Sequence, residues 1–418
     1  MKRAVGIVAG LALLASGCSG DAGPSPVRVG ALYPLSGTQG DGGIDEHRGV
    51  LLAADLVNAD GGVGGRPIEL TSIDVPGADA APGAVEQLDE DGIDLVLGSY
   101  GSTISAPAAA AAASRGMLFW ETGAVGMLPP AADRGGLTFR VPPTGGVLGR
   151  AAIAYVADEL APSRDLDPTT LRYAVSFVDD VYGRSVARGA IDAIRERSLR
   201  LAGSFGYDYR TVDMRALVHR IAAARPDVLF VSAYLEDAIA LRRELVRQDV
   251  PLVANIGTSS SYCMPAFGQT LGEQAVGVFA SDKPSATSID PSGLRPRAAA
   301  LLERANAAYH ERWGADMSPA ALAGFSAAWA LFAEVLRAAP TLAASDVADA
   351  ARATDLPPRS LPNGSGLRFG ALGTPGAGDN LAAASVIWEW VAPGRAAVIW
   401  PPGFAGDPID PTTYDDAW

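Results

Sequence analysis

Short apolar runs alternate along this chain with longer stretches in which apolar and polar residues recur at helical spacing. Residues 27–32 read as a strand, 44–59 as an amphipathic helix and 68–73 as a second strand. Helical patterns follow at 81–90 and 107–115, and buried strands at 95–98 and 117–120, so the opening reads βαβαβαβ. The alternation restarts after Pro142 and Pro143, with helices at 147–160, 185–196, 213–224 and 237–248 and strands at 173–178, 201–205, 228–231 and 252–256. Strands separated by helices call for parallel pairing with crossovers, and two α/β lobes are the economical architecture. Three further helices, 295–313, 319–338 and 344–353, and two late strands, 385–391 and 396–400, must dock on those lobes.

Length and composition agree with that picture. The 418 residues are 48% hydrophobic, enough for a sizeable core and for two or three compact units. Only 19% are charged and the net charge is -14, which leaves no basic footprint and excludes nucleic acid as a partner. The only lysines are Lys2 and Lys283. Lys2 and Arg3 precede an apolar run, 4–15, that is too short to span a bilayer and reads as part of a signal peptide covering 1–17. The run ends in Leu14-Ala15-Ser16-Gly17-Cys18, which resembles a bacterial lipoprotein signal in which the cysteine is lipidated and becomes the first residue. A polar tether, 18–26, then leads to the folded body. The alternative is an ordinary secretory signal with an incidental Cys18.

Cys263 is the one other cysteine, so no internal disulfide is expected, and its place after Tyr262 in a turn-like stretch reads as packing. His47, His219 and His310 are too far apart to form a metal-spaced cluster. Neither a metal nor a cofactor is expected. In open parallel sheets ligands collect outside the carboxyl ends of the strands. The loops there are Leu35-Ser36-Gly37-Thr38-Gln39-Gly40, Ser99-Tyr100-Gly101-Ser102-Thr103 and Glu121-Thr122-Gly123, all rich in hydroxyls and glycine. Gly61-Gly62-Val63-Gly64-Gly65 is no phosphate loop, because it follows a helix and precedes a strand. With no Gly-x-Ser-x-Gly elbow or Ser-x-x-Lys signature, the chain does not read as an enzyme.

Several segments occur in a telling order. Tyr33-Pro34-Leu35-Ser36-Gly37 is followed by Gly49 with Ala53-Ala54 and by Val57-Asn58-Ala59-Asp60-Gly61-Gly62-Val63-Gly64-Gly65-Arg66-Pro67. Asp179-Asp180-Val181-Tyr182-Gly183-Arg184 and Arg225-Pro226-Asp227-Val228 come next, then Gly366-Leu367-Arg368-Phe369, and finally Gly394 with Val398-Ile399-Trp400-Pro401. Over 27–405 this resembles the leucine/isoleucine/valine-type periplasmic substrate-binding proteins. The resemblance implies the type I periplasmic-binding-protein fold, a Venus flytrap of two Rossmann-like parallel-sheet lobes joined by three crossovers near 140–143, 280–284 and 362–366. The first lobe would comprise 27–141 and 282–363, and the second 142–281 and 364–418 with the C-terminal tail. It further implies an extracytoplasmic receptor of an ABC importer that closes on a small polar ligand, whether amino acid, amide or small organic acid, and delivers it to ABC permease subunits. The receptor would be a monomer, lipid-anchored to the outer face of the bacterial cytoplasmic membrane. The alternative is a ligand-sensing or interaction lipoprotein of the same fold not coupled to transport.

The same resemblance implies a ligand set. Ser102 would receive the ligand carboxylate, and Tyr182 and Tyr234 would cover the ligand when the lobes close. Ser36, Gly37, Tyr100, Thr103, Glu121, Thr122, Gly123, Asp180, Thr258 and Ser259 complete it, with the loops of Ser36, Ser102 and Thr122 engaging first. Three of these have a structural alternative: Ser102 as a helix cap, Tyr182 and Tyr234 as core. Two positions depart from the amino-acid-binding pattern. Val125 stands where a threonine helps bind the carboxylate, and Ser259 near where an acid pairs with the ligand ammonium. Either Glu121 or Asp180 supplies that charge, or the ligand is not a zwitterionic amino acid. Trp120 reads either as an indole entering the cleft or as a core strand residue.

Overall fold

A computed structural model describes residues 24–128 and 135–404; the signal region with Cys18 and the tail beyond 404 lie outside the described residues. Five strands form the first sheet: β1 (Val27–Tyr33), β2 (Ile68–Asp74), β3 (Leu95–Gly98), β4 (Leu118–Glu121) and β5 (Thr138–Arg140). They pair in parallel in the order β2-β1-β3-β4-β5, with α1 (Gly40–Ala59), α2 (Ala81–Glu90) and α3 (Ser102–Ser114) in the connections. Continuous apolar runs suit strands covered on both faces, and all four residues of β3 are buried.

The chain leaves the first sheet at 141–144 and begins the second lobe with α4 (Gly145–Tyr155), which runs through one π turn into the short α5 (Ala161–Ser163). Strands β6 (Arg172–Val178), β7 (Arg200–Tyr207), β8 (Val228–Ser232) and β9 (Ala254–Thr258) alternate with α6 (Val181–Glu196), α7 (Met214–Ala223), α8 (Leu235–Arg247) and α9 (Pro265–Leu271). After β10 (Phe279–Asp282) the chain returns to the first lobe and adds α10 (Pro296–Trp313), α11 (Pro319–Trp329), α12 (Leu336–Ala338) and α13 (Ala344–Ala353). The second sheet is completed by β11 (Val386–Ala392) and β12 (Arg395–Trp400), giving the order β12-β11-β10-β9-β8-β6-β7. The pairs β10–β11 and β11–β12 are antiparallel and the rest are parallel. This is a two-lobed Venus-flytrap architecture.

Each lobe is braced by a pair of helices whose backbones nearly touch. A Cβ on Gly49 of α1 would lie 2.0 Å from the Ala321 carbonyl oxygen of α11, and one on Gly324 would lie 2.2 Å from the carbonyl oxygen of Glu46. In the second lobe a Cβ on Gly149 of α4 would meet the Val186 carbonyl oxygen of α6 at 2.3 Å, and one on Gly189 would meet that of Gly146 at 2.4 Å. The segment Pro319–Ala338 is long and apolar enough to cross a membrane, and here it is the buried core helix of the first lobe.

Several details differ from the sequence reading. α3 begins at Ser102, five residues earlier than expected, because Pro107 sits inside the helix and does not open it. β9 is shifted two residues on, and β5 and β10, of three and four residues, carry no periodic signal of their own. The third passage lies at 381–385, not at 362–366. Phe369 packs against Trp120 (ring centroids 5.3 Å) and Phe139 (4.9 Å), and the backbone of Gly378 and Asn380 bonds to both sides of Arg140, which keeps the chain on the first sheet as far as Asn380. The second lobe's last part therefore begins near Val386 and not at 364.

Candidate functional site

The carboxyl ends of both sheets face each other across the passages, and the loops there close on a small cavity of about 10 Å³ between the lobes. The first-lobe wall grows from two loops. After β3, Tyr100 and Gly101 lead into α3, whose first residue, Ser102, accepts the Gly126 amide (2.8 Å) and so ties this loop to the next. After β4, the Glu121 carboxylate turns back and accepts the amides of Gly123 (2.9 Å) and Ala124 (2.7 Å). The Val125 carbonyl is held by the Gly145 amide (2.6 Å) and by the buried guanidinium of Arg140 (3.1 Å). Gly123, Ala124 and Val125 are thereby presented to the cavity, with Gln39 beside them.

The second-lobe wall is a chain of hydrogen bonds. Asp180 caps α6 by accepting the Gly183 amide (2.9 Å), and its other oxygen accepts the Tyr234 hydroxyl (2.6 Å). The Tyr182 and Tyr234 rings stand 5.6 Å apart, and the Tyr182 hydroxyl donates to the Ser259 carbonyl. The Ser259 hydroxyl donates to the carboxylate of Asp282 at the end of β10. Next in the chain, Lys283 is 3% exposed; its Nζ donates across the gap to the Gly123 carbonyl (3.1 Å) and stands 3.9 Å from Asp282 Oδ1. Burial pushes the hydroxyl pKa values of Tyr100 and Tyr182 well up, so both remain neutral donors.

A second polar layer lies behind the first-lobe wall. The hydroxyls of Tyr33 and Thr122 are 2.7 Å apart, and Thr122 donates to Glu46 Oε1 (2.7 Å). A Cβ on Gly123 would fall 1.7 Å from Glu46 Oε2, so only glycine fits between that carboxyl and the cavity. Burial pushes Glu46 up to about 8, against the pull of Lys283 and the Thr122 hydroxyl, and pushes Glu121 up to about 7 against its amide and hydroxyl donors.

Of the residues singled out in the sequence, Tyr100, Ser102, Gly123, Tyr182, Tyr234 and Ser259 line the cavity. Thr103, Glu121, Thr122, Asp180 and Thr258 do not; they support lining residues or lie buried at a strand end. The roles suggested for Glu121 and Asp180 as acids facing the ligand therefore need correcting, because neither lines the cavity, and both Asp180 oxygens and Glu121 Oε1 are bonded to protein donors. Ser36 and Gly37 also fall outside, on an exposed turn where Asp74 accepts the Leu35 amide (2.8 Å) and the Ser36 hydroxyl (2.7 Å). Gln39 takes their place. Trp120 is a core residue, its indole N–H donating to the Ala327 carbonyl (2.9 Å). Cys263 is buried beside Asp282. Gln39 and Gly101 lie in loops the sequence reading named without singling them out, and it missed Ala124, Ser260 and Lys283. For Lys283 a signal existed: the one lysine of the folded body, next to an aspartate where the chain was expected to cross.

Residues 26–376 match the family described as periplasmic binding protein. Leu/Ile/Val-binding protein homolog 8 of Brucella suis is 27% identical over 368 residues, covering 87% of this chain and 89% of that protein. A leucine binding protein from Thermotoga maritima superposes with a TM-score of 0.74 at 16% identity, over 89% of this chain and 97% of that one. A solute binding protein from R. palustris in complex with benzoate superposes with a TM-score of 0.71 at 16% identity, over 92% and 98%.

Proposed function

Because the chain belongs to the periplasmic binding protein family, whose members are non-catalytic extracytoplasmic solute receptors, we propose that it captures a small polar solute between its lobes for an ABC permease. The observation that carries this reading is the cavity itself, walled by Tyr100, Ser102 and the Gly123–Val125 loop on one side and by Tyr182, Tyr234, Ser259 and Lys283 on the other. The first-lobe loops, built from backbone amides and a serine hydroxyl, bind first. Tyr182 and Tyr234 arrive as the lobes close, exclude water and raise the worth of every polar contact. The permease then recognises the closed form. Cys18 carries a lipid that keeps the receptor at the outer face of the cytoplasmic membrane.

Relatives of this fold carry names or ligands as different as leucine and benzoate, so the solute has to be found by experiment. A thermal-shift screen of the purified protein against amino acids, amides, aromatic and aliphatic acids, polyamines and sugars tests the reading. A ligand at 100 times its Kd adds about 2.7 kcal/mol of stability, a clear rise in Tm. No rise with any compound contradicts solute capture. For the anchor, Cys18→Ser is expected to release the protein from the membrane fraction; retention there would remove the lipid.

A further inference from the structure

Resting on the solute-receptor reading, we propose that Lys283 is the counter-ion of the captured solute, an organic acid that carries a carboxylate and no ammonium. Among the described residues that line the cavity, Lys283 bears the one formal charge, and none bears a carboxylate. The nearest carboxylates, Asp45 and Asp282, line the adjoining space that shares Tyr100, Ser259, Ser260 and Lys283, and Asp45 is taken by the Ser318 hydroxyl and Arg48. Asp282 accepts the Ser259 hydroxyl and is bonded to the Cys263 thiol. Asp180 is occupied by the Gly183 amide and the Tyr234 hydroxyl, and Glu121, outside the cavity lining, gives Oε1 to two amides of its own loop. Glu46 sits behind Gly123 and does not line the cavity. A buried cation without a paired acceptor is costly, so a zwitterion would lose on its amino group what it gained on its carboxylate.

The opposite charge is provided for. Lys283 has three N–H donors; one reaches the Gly123 carbonyl at 3.1 Å, and the Asp282 oxygen at 3.9 Å pairs with it in charge but lies beyond hydrogen-bond reach, leaving donors for a ligand. A carboxylate entering the cavity completes the ammonium's set with a charge-assisted bond. The start of α3 at Ser102 lies on the same cavity, so its helix-terminal amides favour the same sign of ligand charge. Tyr182, Tyr234 and Val125 offer apolar surface to the body of the acid. The two departures, Val125 and Ser259, thus fit together: the side chain that would bind an amino group is replaced by a serine turned toward Asp282, and the ligand's charge is met from the crossover.

Isothermal titration of the full chain with matched trios tests this. The trios are 4-methylpentanoate, leucine and 4-methylpentanamide, and 3-phenylpropanoate, phenylalanine and 3-phenylpropanamide, with a panel of other monocarboxylates alongside. In any series that binds, the plain acid is expected to bind at least tenfold tighter than both the zwitterion and the amide. Lys283→Met is expected to weaken acid binding by about 30-fold, with Lys283→Arg retaining more. The ranking of the trios in the unaltered protein needs no variant, so a misfolded Lys283→Met leaves the test intact. A zwitterion binding as tightly as its acid, Lys283→Met with undiminished affinity, or binding confined to sugars, amides or polyamines each overturns the role of Lys283 while leaving the receptor standing. No binding of any compound takes down the receptor reading and this one together.

Discussion

Behind the cavity wall, Glu46 and Glu121 are carboxyls placed where folding favours their protonated forms. Their folded values of about 8 and about 7 lie above the ordinary 4.5, so the stability each contributes is complete below about pH 4.5 and is lost as the pH climbs through the folded value. His47 works in the opposite sense. Burial pushes it from 6.5 down to about 4, so its share is complete above pH 6.5 and is lost toward pH 4. Between pH 6.5 and 8 only the carboxyls titrate, and Tm is expected to fall across that window. Glu46→Gln, which keeps the shape and removes the titration, is expected to flatten the fall; an unchanged slope in melting curves would show that Glu46 ionises freely in the fold. At this scale the sequence was legible where loop chemistry is local. Hydroxyl- and glycine-rich turns after strands led to Tyr100, Ser102 and Gly123. It was illegible where a distant partner decides, as when Asp74 draws Ser36 outward or the crossover brings Lys283 to Gly123.

Among the elements, the glycines of α1 and α11 decide how near two helices can come. Gly49→Ala forces a methyl within 2.0 Å of a backbone oxygen, and the helices must part, at a cost of about 1–3 kcal/mol. Gly83 in α2 is the control: an added Cβ there meets nothing within 4 Å, so Gly83→Ala is expected to stabilise by about 0.5–1 kcal/mol through helix propensity alone. Urea denaturation of both variants checks the pair, and a loss at Gly83 equal to that at Gly49 would contradict the close-approach account. Long periodic elements such as α1, α10 and β6 were plain in the sequence. β5 and β10 were hidden by shortness, and the third passage was misplaced because Phe369 belongs to the aromatic group around Trp120.

Three passages join the lobes of the whole molecule, and the first and third are tied to one another. Asn380, just before the third, donates to the Val141 carbonyl (3.0 Å) on the first and to the Gly366 carbonyl (2.9 Å), and accepts the amides of Arg368 and Ala382, each at 3.0 Å. Asn380→Ala strands several buried groups at once and is expected to cost about 3 kcal/mol in denaturant titrations; a loss below 1 kcal/mol would mean the passages are held elsewhere. Tyr182 acts where the lobes close. Once a ligand is known, Tyr182→Ala is expected to leave association near its original rate and to speed dissociation about tenfold or more in stopped-flow traces. Unchanged release would remove Tyr182 from the closed site.

Apart from Lys2 in the signal region, Lys283 is the only lysine, and it is sealed between the lobes. The folded body therefore carries a single side-chain amine, and an amine-reactive ester can acylate it only while the flytrap is ajar. The rate of that one acylation is a clock for opening, readable from the mass of the peptide that carries Lys283, with no fluorophore or engineered cysteine. It would slow in proportion to the time the receptor spends shut on its cargo.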